Sequence, residues 1–193
     1  GFSSDSSAAM TRKKTRLKGE KSANKKSSGG SRSFVLQAYL NGTPASHVRI
    51  GLSGAAEAGF DARDQVAPPG RFEAVSLRLK APKHSESPGH LIQEWRPPDK
   101  EGQVFNLVLR GEVDTPVRID SKDLSSFQGM EVALIDAKSG HSYDLRDGEE
   151  VDVSSSEEGR ELDLVVGSEA FVEQKTREAL PEKLAVEPNY PNP

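Results

Sequence analysis

Aspartates are the side chains of this sequence best suited to bind a ligand or to do chemistry. Asp61 and Asp64 stand close together in the loop segment GFDARDQ, and Asp136, Asp144 and Asp147 surround a predicted hairpin. Carboxylate oxygens in loops are the ligands that Ca²⁺ prefers, but Asp is also common in turns because its side chain bonds the backbone. The EF-hand pattern is absent. Asp61 and Asp64 are therefore the candidate calcium ligands, with a purely structural turn as the alternative.

Two catalytic chemistries have less support in the residues available. Carboxylate pairs that hydrolyse glycosides work in a cleft with aromatic sugar platforms, but the chain has one Trp and three Tyr residues. We expect Trp95 to lie in the core or to plug a sheet edge. No G-x-S-x-G motif is present, and the G-L-S-G-A stretch at 51–55 is typical of a turn. No catalytic residue and no resident cofactor are predicted.

The four histidines are not spaced like metal ligands. His47 and His141 fall on polar faces or edges of predicted strands, and His84 and His90 belong to the loop KHSESPGH. The chain has no H-E-x-x-H motif and no cysteine, which disfavours a catalytic zinc site. We expect all four side chains to be solvent-exposed. A hydrolase would instead place His47 or His141 beside an aspartate in a buried cleft.

Composition divides the chain into a basic segment and an acidic body. Residues 1–33 have a net charge of +7, whereas the other residues total −11. The segment 1–32 is rich in Ser, Gly and Lys, so we predict a disordered linker. A nuclear-localisation signal or a nucleic-acid arm is the sharper alternative, but no aromatic residue is interleaved for base stacking. Neither a nucleic-acid partner nor a membrane span is predicted, since no run of about eighteen apolar residues occurs.

The body alternates apolar and polar residues, which is typical of strands. We predict strands at 33–40, 46–52, 72–80, 103–110, 115–120, 130–135, 141–145, 149–153 and 160–167. Asn41-Gly42 favours a tight hairpin turn between the first two. The best candidate helix, 169–180, is short and polar, and no segment has a convincing helical stripe.

This pattern predicts an all-β protein. Turn residues about every ten positions are typical of a sandwich or a barrel, and helical crossovers for a parallel sheet are not visible. We predict an antiparallel two-sheet β-sandwich, Ig-like or jelly-roll-like, over 33–172. The polar loops 53–71 and 81–90 would lie at its ends, and the termini would be disordered or extended.

The end of the chain carries the most specific motif. Residues 178–193 read EALPEKLAVEPNYPNP and finish with Pro188, Asn189, Tyr190, Pro191, Asn192 and Pro193. This segment resembles the opening of the C-terminal sorting domain of the type IX secretion (Por) system, which continues with a Phe and several short strands. Upstream, GFDARDQVAPPG at 59–70 and MEVALIDAKSGHSYDLRDGE at 130–149 resemble elements of the β-sandwich that often precedes this signal in exported proteins of the Bacteroidetes.

The resemblance implies export through a bacterial outer membrane, followed by attachment to the cell surface or release. Segment 173–193 would be a Pro-rich linker that leads into a truncated sorting signal. The chain begins with Gly rather than Met, so we expect a piece of a longer protein. Its expected partners are neighbouring domains of the same polypeptide, the secretion machinery, and a surface glycan or protein. The family supplies no catalytic residue to transfer.

Three hypotheses about function follow. The first is a non-catalytic extracellular or cell-surface β-sandwich module that serves as a spacer, an adhesive or an assembly unit. The alternative is a carbohydrate- or calcium-binding accessory module of an exported hydrolase, which requires exposed aromatic residues on one sheet face, or Asp61 and Asp64 converging with backbone carbonyls. The third is a hydrolase that uses Asp and His groups, and the residue spacing gives it no support.

Overall fold

The computed structural model describes residues 30–69, 73–82, 89–146 and 151–180. These ranges contain a short 3-10 turn, Leu124–Phe127, and one helix, α1, Glu169–Ala179. The strands are β1 (Arg32–Leu40), β2 (Thr43–Leu52), β3 (Gln65–Val66), β4 (Ser76–Lys80), β5 (His90–Arg96), β6 (Gly102–Arg110), β7 (Pro116–Lys122), β8 (Glu131–Asp136), β9 (His141–Asp144), β10 (Val151–Ser154) and β11 (Arg160–Gly167). The sorting motif at 188–193 and the predicted basic linker up to residue 29 lie outside the described residues.

Apolar residues at alternate positions form the strands that the sequence predicts. In β1, Phe34, Leu36 and Ala38 are fully buried, whereas the residues between them are partly exposed. Successive side chains of a strand point to opposite faces, so this alternation gives one core face. Each of the predicted strand segments overlaps an observed strand.

The first hairpin has the predicted turn. Leu40 pairs with Thr43, which leaves Asn41 and Gly42 as a two-residue connection. Both residues have positive φ, 51° and 77°, as the primed type I turn requires. This turn matches the right-handed twist of the strands and sets the register of β1 on β2.

Hydrogen bonds join the strands into one sheet, in the order β10-β7-β1-β2-β5-β4-β6-β11-β8-β9, with β3 attached to β5. The sheet nearly closes on itself: the hydroxyl of Ser121 on β7 donates to the carbonyl of Leu145, just after β9, over 3.1 Å. The all-β class is thus confirmed. The division into two facing sheets stays a prediction. The described strands form one continuous sheet, and one pair in it, β2 and β5, is parallel.

The core fills the space that the sheet encloses. Its largest fully buried side chains are Phe34, Phe105, Phe127, Leu36, Ile50, Leu52, Leu77, Leu79, Leu91, Leu107, Leu109 and Ile119. Phe34 and Phe127 meet edge to face with ring centroids 4.9 Å apart, a favoured aromatic geometry. Burial of these side chains is the main source of stability.

Strand β5 is absent from the sequence prediction because its alternation is interrupted. Leu91 and Glu94 are both buried, although they are three positions apart. The adjacent residues Gln65 and Val66 of β3 pair with Gln93 and Leu91, so β5 has an extra residue, Ile92, at this point. An irregularity of this kind reverses which side chains point inward, so a period-2 pattern does not reveal the strand.

Helix α1 forms within 169–180, the segment that the sequence analysis selected as its best helix candidate although it lacks a convincing apolar stripe. The hydroxyl of Ser168 accepts a hydrogen bond from the amide of Phe171, which caps the helix N-terminus. The ring of Phe171 rests on Gly102 and Gly167, paired residues of β6 and β11 where a Cβ would lie 2.4 Å and 2.8 Å from the ring. Packing on a glycine pair stabilises a helix that its own polar sequence does not predict.

The strand body begins and ends beside the same connection, residues 97–101. Gly30 and Arg32 line a groove with Pro98, and the amide of Ser168 donates to the carbonyl of Glu101. Helix α1 then runs back along the outer face of the sheet, since Glu169 lies near Glu131 while its last turn lies near Ile135 and Asp163.

Candidate functional site

The loop between β2 and β4 contains both candidate calcium ligands, Asp61 and Asp64. It is described over residues 53–69 and contains the short strand β3. We refer to it as the 53–69 loop. Loops held on a rigid sheet are common positions for binding residues.

Asp61 organises the backbone of this loop. Its Oδ1 accepts the amide of Arg63 over 2.6 Å and its Oδ2 accepts the amide of Glu57 over 3.0 Å. The Arg63 guanidinium lies 3.6 Å from Oδ2. Burial acts to raise the pKa of Asp61, but the two amide hydrogen bonds outweigh it, so the pKa lies below its ordinary value.

Asp64 ties the loop to β5. Its Oδ1 accepts the amide of Trp95 over 2.7 Å, and its Oδ2 accepts the amide of Asp61 over 2.9 Å. Burial raises the pKa of Asp64, and these amide bonds offset only part of the effect. The second aspartate thus carries the link between the loop and the sheet.

Three further hydrogen bonds fasten the loop along the length of β5. The side-chain amide of Gln93 donates to the carbonyl of Arg63 over 2.6 Å. The amide of Ala67 donates to the carbonyl of His90 over 3.0 Å, and the amide of Ser53 donates to the carbonyl of Arg96 over 2.9 Å. The loop is therefore attached near its start, middle and end.

This attached loop presents apolar side chains to solvent. Phe60 is 38% exposed and Val66 is 41% exposed. Ala55, Ala58 and Ala62 are exposed on the same loop. Two large and three small apolar side chains are thus exposed on one ordered loop, which makes the loop the candidate contact surface for another molecule.

Beneath the loop lies a buried ion pair. Glu94 is 1% exposed, and its Oε1 accepts a hydrogen bond from Nε of Arg96 over 2.6 Å. The Arg96 guanidinium also donates to the carbonyl of Val104 over 2.6 Å and stacks on the Phe105 ring, 4.4 Å from its centroid. The pair therefore connects β5 to β6 at one end of the core.

The second oxygen of Glu94 has no hydrogen-bond partner among the described residues. Burial raises the pKa of Glu94, Arg96 opposes this shift only in part, and the charge of Asp64 adds to it. A buried carboxylate whose hydrogen bonding is incomplete is costly to keep ionised. Two carboxylates, Glu94 on β5 and Asp64 on the loop, therefore lie with one guanidinium at the end of β5.

The prediction of calcium at Asp61 and Asp64 is not tested by this geometry. Each of their four carboxylate oxygens accepts a backbone N–H, so a cation would compete with these hydrogen bonds for lone pairs. Within the described ranges, no group of three or more His, Asp or Glu side chains is placed to share a metal ion. The turn interpretation accounts for every oxygen.

The other side chains that the sequence singled out are dispersed. His47 is exposed on β2, and His141 is exposed and stacks on Tyr143 with centroids 6.0 Å apart. Asp136 pairs with His141 in register, but its carboxylate binds Arg160 over 2.6 Å and 3.0 Å.

Two other predictions concern His90 and Trp95. His90 is half-buried on β5, and burial lowers its pKa, as do the charges of three nearby basic side chains. Trp95 is neither a core residue nor an open platform: its half-buried ring covers Gly51, where a Cβ would lie 2.2 Å from the ring. His84 and Asp147 lie outside the described residues.

Sequence reasoning did not find Glu94 and Arg96. They are two positions apart and therefore share a strand face. Two charged residues on one face, considered alone, are typical of an exposed polar edge. The available signal was an acidic and a basic residue on either side of the chain's one tryptophan.

Comparison of the chain with protein-family models, with curated proteins and with solved structures finds no match. In the part of the chain that the structure describes, no helix has the length and apolar character needed to cross a membrane.

Proposed function

We propose that the chain is a non-catalytic β-sandwich module of a larger exported protein, and that it acts as an adhesive unit at the cell surface or outside the cell. Export is supported by the resemblance of residues 188–193 to a type IX sorting signal. The module type is supported by the all-β fold. The exposed 53–69 loop supports adhesion in preference to a passive spacer.

The observation that carries this proposal is the combination of exposure and order in one loop. Phe60 and Val66 are exposed, while Asp61 and Asp64 hold the backbone around them through four amide hydrogen bonds. A loop that is ordered before it binds loses less conformational entropy on binding. The aspartates then have a role in binding without touching the partner.

A matched pair of valines tests the contact surface. Val66 lies on the loop and Val113 lies on the turn after β6, and both side chains are exposed, 41% and 56%. We expect Val66→Ser to weaken adsorption of the purified protein to isolated cell envelopes of the organism that makes it, and Val113→Ser to leave adsorption unchanged. Equal effects of the two substitutions on adsorption would show that the 53–69 loop is not the contact surface.

Export is tested separately by top-down mass spectrometry of the native protein from cytoplasm, envelope and medium. We expect the protein in the envelope or the medium, with a precursor that continues past Pro193 and a mature form cut near it. A protein found in the cytoplasm with an end at Pro193 would make the terminal motif a coincidence.

The calcium- or carbohydrate-binding alternative is separated by calorimetry with Ca²⁺ and a panel of polysaccharides. Heat on addition of Ca²⁺ that is lost in Asp61→Asn and Asp64→Asn would favour the alternative. The absence of heat in both titrations would leave adhesion to a protein surface as the function to pursue.

A further inference from the structure

Asp64, Glu94 and Arg96 form a charge cluster where the 53–69 loop meets β5, in which Glu94 is buried and the other two side chains are partly buried. Arg96 binds Glu94 directly and acts through its charge on Asp64 as well. One guanidinium therefore serves two carboxylates, so the cluster has a net charge of −1 when both are ionised. It is neutral when one proton is bound.

The groups around the cluster leave the excess charge in place. On β2, the register partner of Glu94 is Ile50, and on β6 the Arg96 guanidinium meets the Phe105 ring and the Val104 carbonyl. On the loop, Asp61 adds a second negative charge that acts on Asp64, and the Arg63 guanidinium beside Asp61 is 44% exposed.

We propose that this charge cluster makes the attachment of the 53–69 loop sensitive to pH, with one proton bound by Glu94 tightening the loop and loss of that proton loosening it. The inference rests on the proposed function, in which this loop is the contact surface. The proton comes from solvent and returns to it.

The mechanism is electrostatic. Asp64 must stay ionised to hold the amides of Trp95 and Asp61 strongly, because hydrogen bonds to a carboxylate are stronger than those to a neutral acid. Ionised Glu94 repels that charge and engages Arg96. When Glu94 is protonated, Arg96 balances Asp64 alone, and the bond between Asp64 and the Trp95 amide is strengthened.

The sign of the pH dependence follows from the direction of the shift. Burial raises the pKa of Glu94 in the folded protein. The stabilising contribution of protonated Glu94 is therefore fully present below its unfolded-state pKa and is lost as pH rises through its folded-state pKa. The loop should be more firmly attached in mild acid than at neutral or alkaline pH.

Amide exchange of the full chain without any partner tests this inference. The Trp95 and Asp61 amides donate to Asp64, so their protection factors, which are corrected for intrinsic exchange, report the attachment. We expect protection to rise severalfold from pH 8 to pH 5, because the raised pKa of Glu94 favours its protonated form in mild acid. Amides of β11 serve as the reference.

Three variants assign the effect. Glu94→Gln should make the two protection factors independent of pH, whereas the exposed Glu161→Gln should keep the wild-type response. His90→Gln should also keep it, which excludes the histidine on the same strand. A wild-type response that is flat, that survives in Glu94→Gln, or that disappears in His90→Gln would overturn the inference.

A measurement on the unaltered protein covers the case in which Glu94→Gln does not fold. The carboxyl carbon resonance of Glu94 and the amide resonance of Trp95 should change with the same midpoint in a pH titration. Separate midpoints would contradict the mechanism. Because no partner is present, failure here leaves the adsorption test of the loop untouched, and failure of adsorption leaves this titration untouched.

Discussion

At the scale of single residues, the carboxylates of this protein are defined by their hydrogen-bond donors. Asp61 and Asp64 each accept two backbone amides. Asp136 instead accepts two bonds from the Arg160 guanidinium, and Glu94 is left with one oxygen unpaired. Similar side chains therefore hold the loop, hold the sheet or remain partly unpaired, according to their neighbours.

Replacement of Asp64 tests its role in the loop. Asp64→Ala leaves the amides of Trp95 and Asp61 without their acceptor, and we expect the free energy of unfolding to fall by about 1–3 kcal/mol. Asp64→Asn keeps one acceptor oxygen and should lose less. Urea denaturation followed by Trp95 fluorescence measures both, and equal losses would show that the carboxylate oxygens are not what the loop needs.

Asp136 gives a pH dependence of the opposite sign to Glu94. Burial acts to raise the pKa of Asp136, but the hydrogen bonds from Arg160 and Ser139 outweigh it, so the pKa is lowered. Its stabilising contribution is therefore complete above the unfolded-state pKa and is lost as pH falls through the folded-state pKa.

We expect Asp136→Asn to reduce the free energy of unfolding at pH 7 by about 3 kcal/mol, because it leaves the Arg160 charge without its partner. The difference from wild type should shrink below about pH 4, where an ordinary Asp becomes protonated. Chemical denaturation at a series of pH values measures it. The exposed Asp120→Asn is the control, and a difference that stays constant with pH would contradict the assignment.

At the scale of elements, alternation reveals strands only where one face is regularly buried. β11 shows this pattern, with Leu162, Leu164 and Val166 inside, and its predicted bounds, 160–167, equal the observed ones. β5 changes its inward face between Leu91 and Glu94, so no period-2 pattern exists to find.

The same reason limits what the sequence reveals of the candidate site. Asp61 and Asp64 are visible because Asp in a loop has few interpretations. Glu94 and Arg96 become a buried pair only through the irregular strand and the packing against Phe105, which are long-range features. Helix α1 likewise depends on Gly102 of β6, which is distant in sequence, together with the nearby Gly167 of β11.

The packing of the Phe171 ring on Gly102 and Gly167 leads to a prediction about α1. None of its residues is fully buried, and a helix of this length is only marginally stable when isolated in water. We expect Phe171→Ala to remove the main anchor, to cost about 1–2 kcal/mol of docking, and to accelerate amide exchange throughout α1 while the strands stay protected.

The exposed helix substitution Glu173→Ala is the control for this prediction, since it leaves the Phe171 ring in place and puts a strong helix former in α1. If the amides of α1 exchange at the same rates in Phe171→Ala and Glu173→Ala, the Phe171 ring is not the anchor. Amide exchange resolves the helix from the sheet, so partial unfolding of α1 would be distinguished from global destabilisation.

At the scale of the whole molecule, the apolar core and the charged surface have separate roles. The nearly closed sheet leaves β9 and β10 as the ends of the strand order, and β10 alternates exposed polar with buried apolar residues. Short, polar edge strands discourage pairing with other chains. The net charge of −11 over residues 34–193 acts in the same direction by mutual repulsion.

The position of α1 has a mechanical consequence. Because the strand body starts and finishes beside residues 97–101, tension between Gly30 and Leu180 is applied first to the docked helix. Its eleven residues span about 16 Å as a helix and about 38 Å when extended. Detachment of α1 would therefore lengthen the tether by roughly 20 Å before any strand is pulled, so the helix would act as an extensible element in series with a body that remains folded.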